Sequence, residues 1–267
     1  MRLKPTVLLA ALVLTLVVTA AFFPGLLAHQ SPIDGQVLDK LQPPSAEHWF
    51  GTDYLGRDLF ARVIHGTSVS LKATLIAVVI AFGVGSLLGV VGGYVGGPVD
   101  AVIMRVVDVL LAIPTLLLSL AIVAALGFGA TNVAVAVGVA SVASFARLSR
   151  SEVLRIRTAP YVEAAGTLGV GRTGVIVRHV LPNSMGPALV LSALEFGTAI
   201  LAVSALSFLG YGEPPPTPEW GKVVAEGRDY VGMAWWTVAL PSAVITAVAL
   251  SANRLSRWLD QKGEVLR

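Results

Sequence analysis

The sequence predicts an all-α membrane protein with six transmembrane helices, and composition carries most of that prediction. Hydrophobic residues make up 55% of the 267 residues, charged residues only 13%, and the mean hydropathy is +0.79. A soluble domain normally has about 25% charged residues. A helix needs about 20 apolar residues to cross a bilayer, and six runs approach that length. The predicted spans are approximately 6–27, 70–96, 100–126, 131–147, 187–210 and 235–258.

Composition and motifs also exclude several classes of function. No cysteine is present, so disulfides, thiolate metal sites and cysteine nucleophiles are ruled out. The basic residues are not interleaved with aromatic residues as they are in a nucleic-acid groove, so no nucleic-acid partner is expected. The sequence has no Gly-x-x-x-x-Gly-Lys-[Ser/Thr] loop, His-Glu-x-x-His pair or nucleophile elbow. The chain is therefore not expected to be an enzyme or to bind ATP.

Lysine and arginine are distributed unevenly between the two sides of the predicted bundle. With the N-terminus in the cytoplasm, thirteen of them lie on the cytoplasmic side and six on the other, as the positive-inside rule favours. The first apolar run, Val7 to Phe23, is longer than a usual signal peptide and lacks a small-residue cleavage site. Both termini are predicted to be cytoplasmic. The chain then divides into a first span with an external segment (1–67), a five-span domain (68–258) and a cytoplasmic tail (259–267).

Two external segments lie on the opposite side of the membrane. Residues 28–67 are long, rich in carboxylates, and end in an amphipathic stretch from Arg57 to His65. Residues 211–234 contain four prolines within five positions, which forbid a regular helix there. The two segments form either the rim of an outer pore mouth or plain connectors with an interfacial helix.

Small residues recur every four positions in the second span, among them Gly85, Gly89 and Gly93. On a helix they form one stripe, which lets another backbone approach closely where lipid supplies no hydrophobic driving force. The stripe predicts tight helix packing, either within this chain or against a partner.

Charged residues inside the spans are the candidates for the transport pathway. Arg105 and Asp108 are three positions apart, so they are predicted to pair on one helix face. Pro114 is predicted to kink the third span and help a gate to bend. Glu195 lies within the fifth span with no charged neighbour in sequence, and an intramembrane carboxylate is a candidate functional residue. It either lines the pathway or pairs with Arg105 or with a partner chain.

The one long polar stretch between apolar runs is the predicted cytoplasmic loop, residues 148–186. Thr158 and Pro160 are suited to start a helix there, and Gly169 to end it. Ala164 and Ala165 present little side chain, so this helix is suited to lie in a groove on a partner. The arginines around it are suited to lipid phosphates or to carboxylates of a partner. The alternative is an ordinary loop with an interfacial helix.

The polar loop resembles the EAA loop of ABC importer permeases. The resemblance rests on Glu163-Ala164-Ala165-x-x-x-Gly169, followed by His179-Val180-Leu181-Pro182. The general pattern favours isoleucine where this chain has His179, and histidine there resembles the dipeptide/oligopeptide/nickel branch. Further segments similar to that branch are Phe50–Asp58, Met104–Asp108 with Pro114, Leu206–Gly212, Pro218–Gly221 and Trp235–Trp236. The chain departs from the branch at Val203, which is usually glutamate, and at 253–257.

The resemblance implies a type I importer permease fold, with 68–258 as the permease domain, in the bacterial inner membrane. In that family the loop around Glu163 to Gly169, closed by His179, Leu181 and Pro182, docks on an ATPase. ATP and Mg²⁺ are then held by two partner ATPase domains, and no cofactor is held here. The other implied partners are a second homologous permease, forming a heterodimer, and an external substrate-binding protein. Short peptides are the expected substrate. Nickel or another small solute is the alternative, and an ion-driven transporter a distant one.

Overall fold

The computed structural model describes residues 5–167 and 170–265, and long helices dominate this part of the chain. Its α-helices are α1 (Pro5–Phe22), α2 (Leu59–Val95), α3 (Gly97–Ala112), α4 (Thr115–Leu126), α5 (Ala130–Arg157), α6 (Pro160–Thr167), α7 (Arg172–Val175), α8 (Leu181–Leu206), α9 (Trp220–Gly227) and α10 (Trp236–Val265). Two π-helical turns, Ile176–Val180 and Ser207–Tyr211, extend α8 at its ends. Short 3₁₀ turns lie at Pro24–Leu26, Val37–Asp39 and Arg228–Tyr230. The predicted all-α class is confirmed, since the described ranges contain no named strand.

In the part of the chain that the structure describes, five helical stretches are long and apolar enough to cross a membrane, namely α1, α2, α5, α10 and the continuous run Ile176–Tyr211. The predicted third span is instead two helices, α3 and α4, which meet at an angle of 97°. Pro114 separates them because it lacks the N–H that would continue a helix. The residue before a proline is pushed into an extended conformation, and Ile113 has φ −95° and ψ 130°. The proline therefore breaks the span, whereas the sequence predicts only a kink.

Helices α2 and α5 pack along most of their lengths and form the centre of the bundle. A Cβ added to Gly85 would lie 2.5 Å from the Val142 carbonyl oxygen, and one added to Gly93 would lie 3.0 Å from the Arg150 carbonyl oxygen. Gly89 lies between them and faces the same helix, with the Arg150 amide nitrogen 2.8 Å from the position of an added Cβ. The glycine stripe of α2 thus faces α5 of the same chain, because only a residue without a side chain allows this approach.

The boundaries of two helices differ from those predicted and shorten the polar loop. Helix α5 continues ten residues past the predicted end of its span, to Arg157, and α8 begins at Leu181. The extension is stabilised by packing, because Val153 and Ile156 are buried in an apolar cluster with Val90 of α2. The described residues between α5 and α8 form α6, α7 and the first π-helical turn.

At the other end of the bundle, α2 begins earlier than predicted. Asp58 caps its first turn by accepting a hydrogen bond from the Ala61 amide at 2.6 Å. The amphipathic stretch from Arg57 to His65 is therefore mainly the start of a 37-residue helix, not a separate interfacial helix. The reason is tertiary: α9 packs against this end of α2, and the indole of Trp220 donates a hydrogen bond to the Val63 carbonyl at 2.9 Å. Residues 28–58 and 212–235 together form a layer over this end, called here the outer layer.

Candidate functional site

Helix α6 presents one exposed face at the end of the bundle where α5 stops. It starts at Pro160, as predicted, with proline in the first turn. Val162 and Ala165 are buried, and Val162 packs in the cluster that holds Val153. The exposed face carries Ala164 with the neighbouring Tyr161 and Thr167. Of the two alanines expected to face a partner, only Ala164 is accessible, because Ala165 anchors the helix.

The end of the predicted loop lies beside α6. The rings of His179 and Tyr161 have centroids 6.5 Å apart, so the structure brings the π-helical turn next to the start of α6. Leu181 and Pro182 are exposed at the first turn of α8. Thr158 does not cap α6 as expected, because its hydroxyl donates to the Arg155 carbonyl at 3.1 Å and so bonds to α5. The side chain of Glu163 and the whole of Gly169 lie outside the described residues.

Ion pairs tie α3 to α5 in place of the pair expected within α3. Asp108 pairs with Arg147 of α5 at 2.7 Å, so the predicted pairing of Arg105 with Asp108 is wrong. Three positions further along α5, Arg150 donates hydrogen bonds to both carboxylate oxygens of Asp100, each at 2.5 Å. The pairing follows from packing, because α5 crosses α3 and offers a cation to each carboxylate. The Asp108–Arg147 pair is 60% exposed on both sides, which indicates a surface that faces water or a partner.

Two further arginines are used within the chain. Arg155 bonds Glu152 at 2.6 Å, three positions earlier on α5. Arg157 donates to the carbonyl of Gly93, at the end of α2, at 2.9 Å. The sequence suggests arginines free to bind lipid phosphates or partner carboxylates. Instead, Arg157 links α5 to α2, as Arg147 and Arg150 link α5 to α3, whereas Arg155 is paired within α5.

A cavity of about 470 Å³ opens between α4, α5 and α8, and Glu195 lines it. The carboxylate is half-buried and accepts a hydrogen bond from the Thr198 hydroxyl at 3.0 Å. It forms no ion pair with Arg105 or with any other cationic side chain in the described part of the chain. Hydroxyl-bearing residues share the lining, and they are Thr115, Ser141, Ser144 and Thr198. Pro114, at the break before α4, directly precedes Thr115.

Sequence reasoning missed a second buried carboxylate, Glu219, in the outer layer. Its side chain is fully buried and caps α9 by accepting from the amides of Gly221 at 3.0 Å and Lys222 at 3.3 Å. The hydroxyl of Ser70, on α2, donates to it at 3.3 Å. Burial raises the pKa of Glu219, and the hydrogen bonds oppose that rise. An acidic residue just before Trp-Gly at the start of a helix was the available signal.

Sequence reasoning also missed a network of four charges, of which Asp53, Arg57 and Arg62 are buried and Glu226 is partly buried. Glu226 of α9 accepts from Arg57 and from Arg62, both at 2.8 Å. Asp53 bonds the same Arg57 at 2.6 Å, while Arg62, at 3.6 Å from it, is only 1% exposed. The network fastens the segment before α2 to α9. The signal for this network in the sequence was a charged residue, Arg62, on the otherwise apolar side of α2. Acidic residues precede this helix and also occur in α9.

These features define a helical membrane protein with an open polar cavity between its helices and a short exposed helix at one end, which is the form of a transport subunit. Residues 85–264 match the family described as "Binding-protein-dependent transport system inner membrane component". The chain belongs to this family of permease components of ABC importers.

Similarity to named relatives extends along nearly the whole chain. The chain is 42% identical to the "Probable D,D-dipeptide transport system permease protein DdpC" of Escherichia coli (strain K12), over 94% of this chain and 84% of that one. It is 40% identical to the "Dipeptide transport system permease protein DppC" of Alkalihalophilus pseudofirmus, over 93% and 82%. Among solved structures, an amino acid ABC transporter with histidines aligns with a TM-score of 0.58 at 18% identity, over 75% of this chain and 94% of that one. That alignment supports the fold alone.

Proposed function

We propose that the chain imports short peptides, such as dipeptides and oligopeptides, as a permease subunit of an ATP-driven transporter. The observation that carries the substrate class is the 42% and 40% identity to permeases named for D,D-dipeptides and dipeptides, over more than nine-tenths of the chain. Similarity of this extent covers the cavity around Glu195 as well as the exposed helix α6.

Energy comes from two separate ATPase domains, which bind ATP and Mg²⁺ and dock on α6. The face formed by Tyr161, Ala164 and Thr167 supports this docking, because it is exposed while the opposite face is anchored by Val162. The neighbouring His179, Leu181 and Pro182, with Glu163 and Gly169 of the loop, complete the docking region. The permease helices then have two arrangements. Closure of the ATPases favours one of them, because the closed ATPases contact that arrangement better than the other.

The α6 end lies in the cytoplasm, as do both termini. Support comes from six arginines between positions 147 and 178, all at this end, as the positive-inside rule favours. The outer layer then faces the external substrate-binding protein. The chain pairs with a second homologous permease, because the cavity around Glu195 is open at the surface of this chain, where a second chain can cover it.

The docking proposal is tested by purifying the complex in mild detergent and measuring ATPase subunits retained per permease. Ala164→Asp places a charge on the exposed face of α6 without filling the core, so retention should fall about tenfold or more while the chain still accumulates in the membrane. Ser151→Asp makes the same change of charge at an exposed position of α5 and serves as the matched control. If both variants retain ATPase equally, or if the unchanged chain retains none, the docking proposal is wrong.

A further inference from the structure

The cavity around Glu195 lies about midway along the helical bundle and is open at the surface of the chain. Glu195 is near the middle of the continuous helical run Ile176–Tyr211, which is 36 residues long. The cavity walls come from three different elements, α4, α5 and α8. A space of about 470 Å³ is large enough for a small organic group of the size of an amino-acid residue.

The carboxylate has more capacity to accept hydrogen bonds than its surroundings use. An ionised carboxylate offers about four acceptor positions, whereas the described hydrogen bonds supply only the Thr198 hydroxyl. A charge at this depth is costly unless a cation, a donor or water offsets it. Within the described ranges no lysine, arginine or histidine does so. The site is therefore suited to a cation that arrives from outside the chain.

The oxygen atoms that line the cavity determine which kind of cation it can bind. Groups of three or more His, Asp or Glu residues that would hold a metal ion are absent from the described ranges, and one carboxylate with neutral hydroxyls is a weak metal site. An ammonium group instead has three N–H donors and needs several oxygen acceptors in an arc. Glu195 supplies the charged acceptor, and the hydroxyls of Ser141 and Ser144 supply neutral ones at the same cavity.

From this geometry we infer that the Glu195 cavity is a cation-selective subsite of the pathway, which receives the free amino terminus of the peptide in transit. The inference rests on the proposed function as a peptide permease. It gives the membrane subunit a share in substrate selection, because a peptide with a blocked amino terminus brings no charge to offset Glu195.

The absence of cysteine makes a direct test possible. Ser144→Cys places a single thiol of this chain on the cavity wall, in the complete transporter. Its rate of modification is measured by mass spectrometry with two methanethiosulfonate reagents, one carrying trimethylammonium and one carrying sulfonate. With each rate divided by the same reagent's rate with a free thiol in solution, the cationic reagent should react about tenfold faster, the effect of one nearby opposite charge that water screens only in part. The ratio of the two rates cancels the effect of Glu195 on the thiol itself.

The second variant assigns the preference to Glu195. Adding Glu195→Gln should bring the ratio of rates close to one, while Glu195→Asp, which keeps the charge, should preserve it. Asp229→Asn, an exposed carboxylate of the outer layer, is the matched control and should leave the ratio unchanged. Equal rates before any change at Glu195, no reaction with either reagent, or a preference that survives Glu195→Gln would each overturn the inference.

Uptake separates this inference from the proposed function. With Glu195→Gln, uptake of a free dipeptide should fall about tenfold while ATPase retention and binding-protein affinity stay unchanged. Undiminished uptake by this variant refutes the amino-terminus subsite and leaves the peptide permease intact. Absence of dipeptide uptake by the unchanged transporter refutes the proposed function itself.

Discussion

Glu195 and Glu219 are both carboxylates among apolar helices, yet their surroundings are opposite. Glu219 is fully buried and accepts from two backbone amides and the hydroxyl of Ser70. Glu195 lies at an open cavity and accepts from Thr198 alone among the described hydrogen bonds. A buried polar group with all its partners stabilises one structure, whereas one with few partners leaves room for a ligand. The hydrogen bonds of Glu219 therefore hold the outer layer in one arrangement, whereas Glu195 keeps unused hydrogen-bonding capacity for a ligand in the cavity.

The same contrast holds for the other charges of the two regions. In the outer layer Glu226 is shared by Arg57 and Arg62, so its charge is offset within the chain. On α5, three positions after the cavity-lining Ser144, Arg147 forms an exposed pair with Asp108 of α3, which water or a partner can reach. A buried carboxylate in the outer layer should therefore matter for stability, and Glu195 for transport.

The largest effect on stability is expected for Glu226→Gln. The change leaves the guanidinium groups of Arg57 and Arg62 buried with only Asp53, and breaking a buried ion pair from one side costs about 3–5 kcal/mol. Thermal and denaturant unfolding of the purified chain in detergent measures the loss. Asp229→Asn, at an exposed pair, should change the free energy of unfolding by about 0.5 kcal/mol or less. A similar loss of unfolding free energy in both variants would show that the network contributes no more to stability than an exposed ion pair does.

An intermediate effect on stability, which depends on pH, is expected for Glu219. Burial raises its pKa in the folded chain above the ordinary 4.5. Between these two pKa values the folded chain keeps the proton and the unfolded chain has lost it, so stability is greatest below 4.5 and falls as pH rises through the window. Glu219→Gln should flatten this part of the profile of unfolding temperature against pH.

Lys222 provides a check on that assignment. Burial lowers its pKa, so its contribution changes on the alkaline side, toward its ordinary value of 10.5, and is separate from that of Glu219. An acid-side slope that persists in Glu219→Gln would assign it to another group.

The smallest effect on stability is expected for Glu195→Gln. Only the hydrogen bond from Thr198 is at risk, and glutamine can still accept it, so the free energy of unfolding should change by about 0.5 kcal/mol or less. The measurement is the same denaturant curve used for Glu226→Gln. A loss comparable to that of Glu226→Gln would mean that Glu195 is a structural residue, and the contrast between the two regions would fail.

Local patterns predicted those features that depend on neighbours in sequence. Apolar runs of about 20 residues predict spans, and five such stretches are long and apolar enough to cross a membrane. The start of α6 at Pro160 follows from the tolerance of a first turn for proline. The stripe of Gly85, Gly89 and Gly93 predicts close packing of α2, although the partner, α5, is not readable from spacing.

Features that depend on a distant segment escaped prediction. Arg105 and Asp108 have the spacing of a helical pair, but Arg147 is 39 positions away and reaches Asp108 instead. The start of α2 is extended because Trp220 and Glu226 pack on it from more than 150 positions along the chain. Pro114 divides the predicted third span into α3 and α4, and only the structure gives the angle of 97° between them.

The sequence by itself therefore determined the class of the protein, most of its long apolar helices and the start of α6, because hydrophobicity, helix periodicity and turn chemistry act over a few residues. Only the tertiary structure decided which carboxylates are offset and which remain open. That difference arises where helices distant in sequence meet, since burial and partners, not residue type, decide whether a charge stabilises the fold or awaits a ligand.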